Sequence, residues 1–346
     1  MIDQHSAAAM PEPPPGAQLL RIGTAFFGSA ALYVAAKLDI AEHLATGRKT
    51  ASELAELTCT DAGALYRLLR ASAMTGVFSE LENQTFANTP LSETLRDSAR
   101  DTTRQLVIWM LEEPHWRVYG ELLYSVQTGK TAWDRVYGEP VFESLFGSQR
   151  ELGETFNRAM TSYSLQTIPA ILAAYDFSGA ETVADIAGGH GHLLGAVLKK
   201  YADAKGVLFE VPPVMAGAPA MLDSYGVRDR IELIHGDFCD EIPVRADIYM
   251  IKHIIHDWDD DKCEVILRNI RKSMPEGARV LIIDAVVPGP GEQHFSKFLD
   301  LEMLMLPGGR ERTAEEFESL LDKSGFKLNR IIATPSPVSI VEAVKA

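Results

Sequence analysis

The feature that most constrains the fold is a change of pattern near Ala180, beyond which short apolar runs alternate with amphipathic segments. The apolar runs are Thr182–Ile186, Gly206–Val211, Ile231–Ile234, Asp247–Ile251 and Arg279–Ala285. The amphipathic segments are His192–Tyr201, Val214–Tyr225, Asp260–Met274 and Thr313–Lys323. Continuous apolar runs suit strands that are buried on both faces of a parallel sheet. This alternation predicts a doubly wound, Rossmann-like α/β domain, whose ligands bind at the carboxyl ends of the strands.

The end of the chain predicts a different element. Lys327–Ala333 and Val338–Val344 are two further apolar runs, and a turn containing Pro335 and Pro337 lies between them. Two runs separated by a proline-containing turn are typical of a hairpin. We therefore expect a closing antiparallel hairpin after the parallel strands.

The first half of the chain has a helical pattern. Apolar residues recur at intervals of three and four in Ala30–Leu44, Leu65–Met74 and Leu106–Met110. Within this half, Thr50 and Glu53 form a capping-box pattern that predicts a helix over Ala51–Leu57. A second helix over Asp61–Met74 comes next. Val77-Phe78, a polar turn around Glu82-Asn83, and Thr85-Phe86 then suggest a small hairpin, which completes the outline of a winged helix.

A winged helix can bind DNA or serve only for packing and dimerisation. Its second helix offers mainly Arg67 and Arg70, and Glu53, Glu56 and Asp61 oppose these cations. The whole chain carries a formal charge of −15, which repels phosphate backbones. Packing or dimerisation is therefore the favoured interpretation, and no nucleic-acid partner is expected.

The length of 346 residues predicts two domains. We expect a tail over 1–16, a mainly helical domain over 17–173 and the α/β domain over 174–346. The three widely spaced cysteines favour neither a disulfide framework nor a zinc site. No apolar run is expected to span a membrane. Together these features predict a cytoplasmic protein.

A glycine-rich turn follows the first predicted strand, in the order Asp185-Ile186-Ala187-Gly188-Gly189-His190-Gly191. Such a turn lets the backbone approach a ligand closely. Glu210, with Val211 after it, ends the second strand, where a carboxylate can accept from ribose hydroxyls. Asp237 and Phe238 follow the third strand and suit the amine and the face of a purine. These residues favour a nucleoside ligand over the pyrophosphate of a nicotinamide cofactor.

A longer motif makes the prediction specific. The run Ile251–Trp258, which contains Lys252, His253, His256 and Asp257, resembles the signature of the small-molecule O-methyltransferases. This family includes the plant caffeic acid enzymes and bacterial antibiotic and phenazine O-methyltransferases. The resemblance covers nearly the whole chain, including Phe156–Met160, Gly308–Thr313 and the closing hairpin.

The resemblance implies a reaction and a set of roles. It implies transfer of a methyl group from S-adenosylmethionine to a hydroxyl, with His256 as the general base and Asp284 and Glu311 on either side of it. It further implies that Lys252 and Ser164 lie beside the cofactor. Family members are homodimers built through their N-terminal domains.

Two residues depart from the family pattern. Ala187 stands where the first loop glycine is usual, and Glu210 stands where an aspartate is usual. Alanine tolerates ordinary strand-end dihedral angles, so we expect cofactor binding to persist. Because of Ala187, a same-fold hydroxylase or decarboxylase remains an alternative to the methyltransferase. A nucleoside-sensing winged-helix regulator is a further alternative, from a different class.

The acceptor pocket is expected to be apolar and aromatic, which suits a planar, polycyclic aromatic acceptor. The candidates are Trp109, Met110, Trp116, Trp133, Phe142, Phe146, Phe156, Met160, Leu301, Met305 and Leu306, together with His253 and Asp257.

Several polar residues suggest a metal, but each has a simpler explanation. His253 lies three residues before His256, which places the two on opposite faces if both belong to a strand. His190 and His192 have no carboxylate or cysteine at ligand spacing. The acidic run over 257–261 suits a helix start. We therefore predict that the reaction needs no metal.

Overall fold

A computed structural model describes residues 13–99 and 101–346, and packing divides the chain into the units Met1–Glu112 and Glu113–Ala346. Most of the tail predicted over 1–16 falls outside the described residues. The first helix begins at Pro15, inside the predicted tail.

The N-terminal unit is mainly helical and contains one small sheet. Its helices are α1 (Pro15–Gly23), α2 (Phe26–Lys37), α3 (Ile40–His43), α4 (Ala51–Thr58), α5 (Ala62–Met74), α6 (Pro90–Glu93) and α7 (Arg104–Leu111). Its strands are β1 (Lys49–Thr50), β2 (Phe78–Leu81) and β3 (Thr85–Asn88), paired in the order β1-β3-β2.

The winged-helix outline is present in this unit. The predicted capping box forms, because Glu53 N–H donates to the Thr50 hydroxyl and the Glu53 carboxylate accepts from Thr50 N–H. Asp61 caps α5 with a single bond, in which its carboxylate accepts from Ala64 N–H. The helix predicted over Ala30–Leu44 is divided instead into α2 and α3, since Asp39 adopts a left-handed φ of 56°.

The first two helices carry an unexpected apolar surface. Pro15–Lys37 is long and apolar enough to cross a membrane by length and composition alone, because an 18-residue window within it has a mean hydropathy of 1.5. The sequence analysis expected no such segment. Leu19, Leu20 and Ile22 are each about 70% exposed. A single segment of this kind near an N-terminus is weak evidence for a membrane span, because helices of soluble proteins pass the same test.

The C-terminal unit combines helices with a large sheet. Its helices are α8 (Glu113–Gly120), α9 (Leu122–Thr128), α10 (Ala132–Tyr137), α11 (Val141–Glu143), α12 (Arg150–Ala174), α13 (His192–Lys200), α14 (Pro212–Met215), α15 (Ala218–Tyr225), α16 (Asp260–Ser273), α17 (Ser296–Met305) and α18 (Ala314–Lys323). Its strands are β4 (Thr182–Ile186), β5 (Lys205–Glu210), β6 (Ile231–His235), β7 (Ile248–Lys252), β8 (Arg279–Asp284), β9 (Phe326–Ala333) and β10 (Ser339–Lys345).

The strands form one sheet in the order β6-β5-β4-β7-β8-β10-β9. β4 to β8 are parallel, and β10 is antiparallel to both β8 and β9. The Rossmann-like fold and the closing hairpin are thus confirmed. Apolar residues of β4 to β8 enter separate cores on the two sides of the sheet, which explains their continuous apolar runs. β4 pairs with both β5 and β7, so the order in which strands are added to the sheet reverses there, and a crevice opens at the strand ends.

The boundary between the units lies earlier than the sequence analysis placed it. Helices α8 to α12 belong by packing to the C-terminal unit, whereas the predicted boundary was 173/174. α12 packs against α13, and its Ile168 and Ile171 are buried in one core with Val183 and Leu194. Helical periodicity shows that a segment is a helix but not which core buries its apolar face.

Candidate active site

A cavity of about 390 Å³ opens at the carboxyl ends of β4, β5, β6 and β7, beside α12. Most of the predicted cofactor residues line it, namely Ser164, Asp185, Ala187, Gly188, Gly189, Glu210, Val211, Asp237, Phe238 and Lys252. Part of the predicted acceptor set also lines it, namely Phe142, Phe146, Phe156, Met160, His253 and Asp257. Its size is within the usual range for a small-molecule site.

Other predicted residues lie elsewhere in the same unit. Gly191 is the residue preceding α13, with a left-handed φ of 80°. Trp133 and Met305 are fully buried and Leu306 nearly so, while Leu301 is half-buried and Trp116 is 39% exposed. Of the described residues that line the cavity, none is among these five apolar candidates. Apolar composition does not distinguish a core side chain from one that faces a pocket.

Trp109 and Met110 lie on α7 in the N-terminal unit, where Trp109 is buried. Their contribution to an acceptor pocket stays a prediction.

The loop between β4 and α13 is held against the end of β5. A Cβ atom on Gly188 would lie 2.4 Å from the Asp185 carboxyl carbon, so only glycine fits there. The Glu210 carboxylate accepts from Gly189 N–H at 2.9 Å and from Val211 N–H at 2.8 Å. These bonds fix Glu210 at the rim of the cavity.

A buried polar cluster lies at the floor of the cavity. Lys252 Nζ donates to Ser164 Oγ at 3.1 Å. Asp185 is 2% exposed, and its Oδ2 finds no hydrogen-bond partner among residues 13–99 and 101–346. Burial raises the pKa of Asp185 to about 7 and lowers the pKa of Lys252. An unpartnered buried carboxylate oxygen beside a lysine suits the ammonium and carboxylate of an amino-acid group.

Aromatic side chains surround the rest of the cavity. The Phe142 ring is stacked on Phe146 at 6.4 Å and lies 6.3 Å from Phe156 and 5.6 Å from Trp258. Phe238 lies 6.3 Å from Trp258 on the other side, and Lys262 Nζ lies 3.3 Å above the Trp258 ring. These flat apolar walls suit planar ligands.

His256 lies behind this lining, in a turn over Ile255–Asp257 that follows β7. Its Nδ1 is 2.7 Å from Glu311 Oε1, and its Nε2 is 3.6 Å from Asp257 Oδ1. Burial lowers the pKa of His256, but the nearby charges of Asp257, Asp284 and Glu311 together raise it to about 10. Glu311 is itself oriented, because its N–H donates to Asp300 Oδ1.

Asp284 contacts the histidine pair differently. Its Oδ1 accepts from the backbone N–H of His253 at 2.8 Å, while Glu311 is the carboxylate that is hydrogen-bonded to His256. The His253 and His256 rings are 5.1 Å apart. The two rings would lie on opposite faces only if both residues belonged to a strand, and that condition is not met, because β7 ends at Lys252 and His253 turns with a φ of 54°.

Arg312 connects this turn to the loop that carries Glu311. It is 1% exposed and donates to the carbonyls of Ile255 and Trp258 at 2.9 and 3.0 Å. Its guanidinium also pairs with Asp260 at 2.8 Å. The backbone N–H of Arg310 donates to the His256 carbonyl at 2.8 Å. The segment Gly309–Arg312 thus fixes the backbone on both sides of His256.

The acidic run has mainly a local role. Asp259 caps α16 by accepting from Lys262 N–H at 2.9 Å, and Asp260 pairs with Arg312. Asp259 thus acts at the helix start, as predicted, whereas Asp260 pairs with a distant arginine. Asp257 differs, because it lines the cavity.

The sequence analysis missed several lining residues, namely Asn157, Thr161, His190, His192, Leu193, Val214, Cys239, Ile254, Trp258 and Lys262. For two of them a signal existed. Asn157 and Thr161 share one face of α12 with Phe156, Met160 and Ser164, at intervals of one, three and four residues. The others depend on where loops fold, which no periodicity reports.

Ala187 is strained. Its φ is 53°, in the left-handed region that favours glycine, so the expectation of ordinary dihedral angles was wrong. Its N–H donates to the Phe209 carbonyl at 2.8 Å, which holds the residue in this conformation.

We expect Ala187→Gly to raise the melting temperature by about 1–3 °C. The left-handed conformation costs alanine roughly 1–2 kcal/mol, and the greater unfolded-state entropy of glycine offsets about half of that. Differential scanning calorimetry measures the change. Ala202→Gly, at an exposed alanine with ordinary φ, is the matched control and should not raise the melting temperature. An equal rise in both variants would contradict the strain at Ala187.

The strand order, the glycine-rich loop and a carboxylate at the end of β5 define a Rossmann-like domain with a nucleoside-cofactor site. Comparison with known proteins specifies the family. Residues 119–327 match the O-methyltransferase domain and residues 20–98 match the O-methyltransferase dimerisation domain. The chain belongs to the O-methyltransferase family, and it is an S-adenosylmethionine-dependent O-methyltransferase.

Individual relatives are similar over nearly their full lengths. The phenazine O-methyltransferase of Lysobacter antibioticus is 41% identical, covering 99% of each chain. The mitomycin biosynthesis 6-O-methyltransferase of Streptomyces lavendulae is 41% identical, covering 91% of this chain and 90% of that protein. The crystal structure of CalO1, a methyltransferase of calicheamicin biosynthesis with S-adenosylhomocysteine bound, has a TM-score of 0.86 at 33% identity, covering 97% and 100% of the two chains.

The match over residues 20–98 decides between the two interpretations of the winged helix. It assigns the N-terminal helices to dimerisation, so the protein is a homodimer. Dimerisation also provides a reason for the exposed apolar side chains of α1, since large exposed patches mark interaction surfaces.

Proposed function

We propose that the cavity at the strand ends is the active site, and that His256 removes the proton from a phenolic hydroxyl of a planar aromatic acceptor. The observation that carries this proposal is the buried pair of His256 and Glu311, 2.7 Å apart, directly behind the cavity. Glu311 accepts from Nδ1–H, which leaves the Nε2 lone pair for the proton of the acceptor. Asp284 acts as a positioning residue through the backbone of His253.

The cofactor is assigned to the part of the cavity formed by the loop after β4. In this proposal Glu210 accepts from the ribose hydroxyls, and Asp237 and Phe238 hold adenine. Asp185, Lys252 and Ser164, which also line the cavity, hold the methionine end. The unpartnered Oδ2 of Asp185 supports this fit. When bound, S-adenosylmethionine supplies an electrophilic methyl group, so His256 needs only to remove a proton and the cavity walls to align the acceptor.

The carboxylates around His256 remove most of the cost of that proton transfer. A phenol has a pKa of about 10 and an ordinary histidine about 6.5, which makes transfer uphill by roughly 3–4 units. With the pKa of His256 raised to about 10, transfer from the phenol is nearly isoenergetic. The same shift means that His256 must first lose the proton that it holds at neutral pH.

The acceptor is inferred from the walls of the cavity. Phe142, Phe146, Phe156, Met160 and Trp258 offer flat apolar surface beside His253 and Asp257. The similar enzymes are named for phenazine and mitomycin, which supports an aromatic natural product as the acceptor.

We also propose that the protein is located in the cytoplasm. Its cysteines Cys59, Cys239 and Cys263 are free, which is typical of a reducing compartment.

The proposal is tested by calorimetric titration with S-adenosylmethionine and S-adenosylhomocysteine, followed by incubation with a panel of hydroxylated polycyclic aromatics. We expect micromolar binding of both and a product that gains one CH₂, read by mass spectrometry. A product that gains one oxygen instead would favour the hydroxylase alternative. Binding without any modified product across phenols, quinones and aromatic acids would contradict the proposed acceptor class.

The raised pKa of His256 predicts a pH dependence. Because neutral imidazole is only about one part in a thousand at neutral pH, kcat/KM should rise about tenfold per unit up to the range of pH 10. Asp257→Asn removes the negative charge nearest Nε2, which lowers the pKa of His256 and moves the rise to lower pH. Initial rates across pH with saturating cofactor measure the midpoint.

The exposed Asp223→Asn on α15 is the charge-matched control and should keep the wild-type midpoint. An Asp257→Asn profile identical to that of the wild type would show that Asp257 does not set the basicity of the catalytic group.

A further inference from the structure

The fold brings two histidines and a carboxylate together beneath the acceptor end of the cavity. One nitrogen of His253, one nitrogen of His256 and one oxygen of Asp284 lie within 4.8 Å of one another. His253 and Asp284, the most distant of the three along the chain, are 31 residues apart. His253 and His256 follow β7, and Asp284 ends the neighbouring strand β8. No spacing rule along the sequence identifies such a set.

These side chains are buried, yet much of their hydrogen-bonding capacity is unused. The His253 side chain is 10% exposed and that of Asp284 is fully buried. Neither ring nitrogen of His253, nor Oδ2 of Asp284, has a hydrogen-bond partner in the described part of the chain. Buried polar atoms without partners are costly, so this cluster is suited to binding a further group.

The surroundings of His256 match those of a metal-binding histidine. Metal-bound imidazoles usually donate their other N–H to a carboxylate, which fixes the tautomer and increases ligand basicity. Glu311 provides this arrangement at Nδ1, at 2.7 Å, and therefore directs Nε2 away from itself. Asp284 is held through Oδ1 by the backbone of His253, which leaves Oδ2 available.

We propose that His253, His256 and Asp284 bind a divalent transition-metal ion of the Zn²⁺ type, and that this ion inhibits the enzyme reversibly. Two imidazoles and one carboxylate are a donor set that Zn²⁺ takes, with the remaining position open to water or acceptor oxygen. Tetrahedral ligation needs ligand atoms roughly 3.3 Å apart, so the three groups close by up to about 1.5 Å through side-chain rotation. Mg²⁺ prefers oxygen ligands and is not bound.

Metal binding blocks the reaction because it occupies the lone pair of the general base. Coordination uses the Nε2 lone pair of His256 that would accept the proton of the acceptor, and the ion occupies space beside His253 at the acceptor end. The inhibition therefore rests on the proposed function, whereas metal binding itself does not. The reaction needs no metal, so removing the ion restores it.

The test is a titration of EDTA-stripped, untagged protein with Zn²⁺ by calorimetry and with Co²⁺ by visible absorption. We expect one micromolar site per chain, weakened at least tenfold in His253→Ala and in Asp284→Asn, and no response to Mg²⁺. Cys239→Ser, at the free cysteine that lines the cavity, is the control that should retain binding. Titration with S-adenosylhomocysteine verifies that each variant is folded.

A second arm measures methyl transfer with and without micromolar Zn²⁺, each variant relative to its own metal-free rate. Wild-type activity should fall and recover with EDTA, while His253→Ala should resist Zn²⁺. Unchanged Zn²⁺ affinity in both His253→Ala and Asp284→Asn, or no site below millimolar concentration, overturns the proposal. The Co²⁺ spectrum does not depend on turnover. If the wild type binds the metal as expected while metal-free His256→Gln keeps full activity, only the catalytic role of His256 is overturned.

Discussion

His256→Gln is expected to lower kcat about 10³-fold while S-adenosylhomocysteine binds with essentially unchanged affinity. The expected loss is the usual contribution of a positioned general base, about 10²–10⁴-fold. Glutamine keeps a polar group of similar size in the turn over Ile255–Asp257 but cannot accept and hold a proton. Cofactor affinity is retained because His256 lies behind the cavity lining, not within it. Single-turnover rates and calorimetry measure the two quantities separately.

His43→Gln in α3 is the matched control, because it makes the same substitution in the dimerisation unit and should leave both quantities unchanged. The pH profile adds a second readout. In His256→Gln the alkaline rise assigned to the histidine should disappear, leaving only the ionisation of the acceptor itself. Full activity in this variant would remove His256 from the mechanism. The hydrogen-bonded pair of His256 and Glu311 would then have only a structural role.

Gly309→Ala is expected to lower kcat about 10²-fold in a protein that still folds. A Cβ atom on Gly309 would lie 2.0 Å from the His256 carbonyl oxygen and 2.6 Å from the Trp258 nitrogen. Both contacts are with backbone atoms, so the clash cannot be relieved by rotating a side chain. The turn that carries His256 must shift, and a displacement of about 1 Å in a catalytic group costs on the order of 10²-fold.

The same overpacking should lower stability by about 1–3 kcal/mol. Gly120→Ala, where an added Cβ meets no atom within 4 Å, is the control for the substitution itself and should keep wild-type activity. Steady-state kinetics separate the effect on kcat from a change in KM, and thermal unfolding shows whether the variant folds. Wild-type kcat in Gly309→Ala would mean that the turn tolerates displacement, and that His256 is not positioned by this loop.

Much of the fold was readable from the sequence. The strand Thr182–Ile186 begins and ends where its apolar run predicts, and the capping box at Thr50 starts α4 as expected. These features are local, because a buried strand needs a continuous apolar run and a helix start needs an acceptor for its free N–H groups. The family resemblance seen in the run Ile251–Trp258 is also confirmed, because residues 119–327 match the O-methyltransferase domain.

Local sequence patterns do not show which other helix or strand each element packs against. The helices over 113–174 pack on the α/β core although their periodicity does not differ from that of the N-terminal helices. Trp133 and Met305 are core residues and Phe142 faces the cavity, although all three are equally apolar. Which face a side chain presents, and to what, is decided by packing between elements distant in the chain.

The candidate site likewise combines features that the sequence predicts with features that only the tertiary structure decides. The sequence by itself predicted the order of the candidate site residues: the glycine-rich loop, then Glu210, then Asp237, then His256, each at or after the end of its own strand. The tertiary structure alone decided that Glu311, not Asp284, bonds His256, that His253 turns back beside it, and that Ala187 is held at positive φ. Parallel strands bring their carboxyl ends to one edge by topology, but the distances between side chains there depend on loop conformations, which tertiary contacts impose.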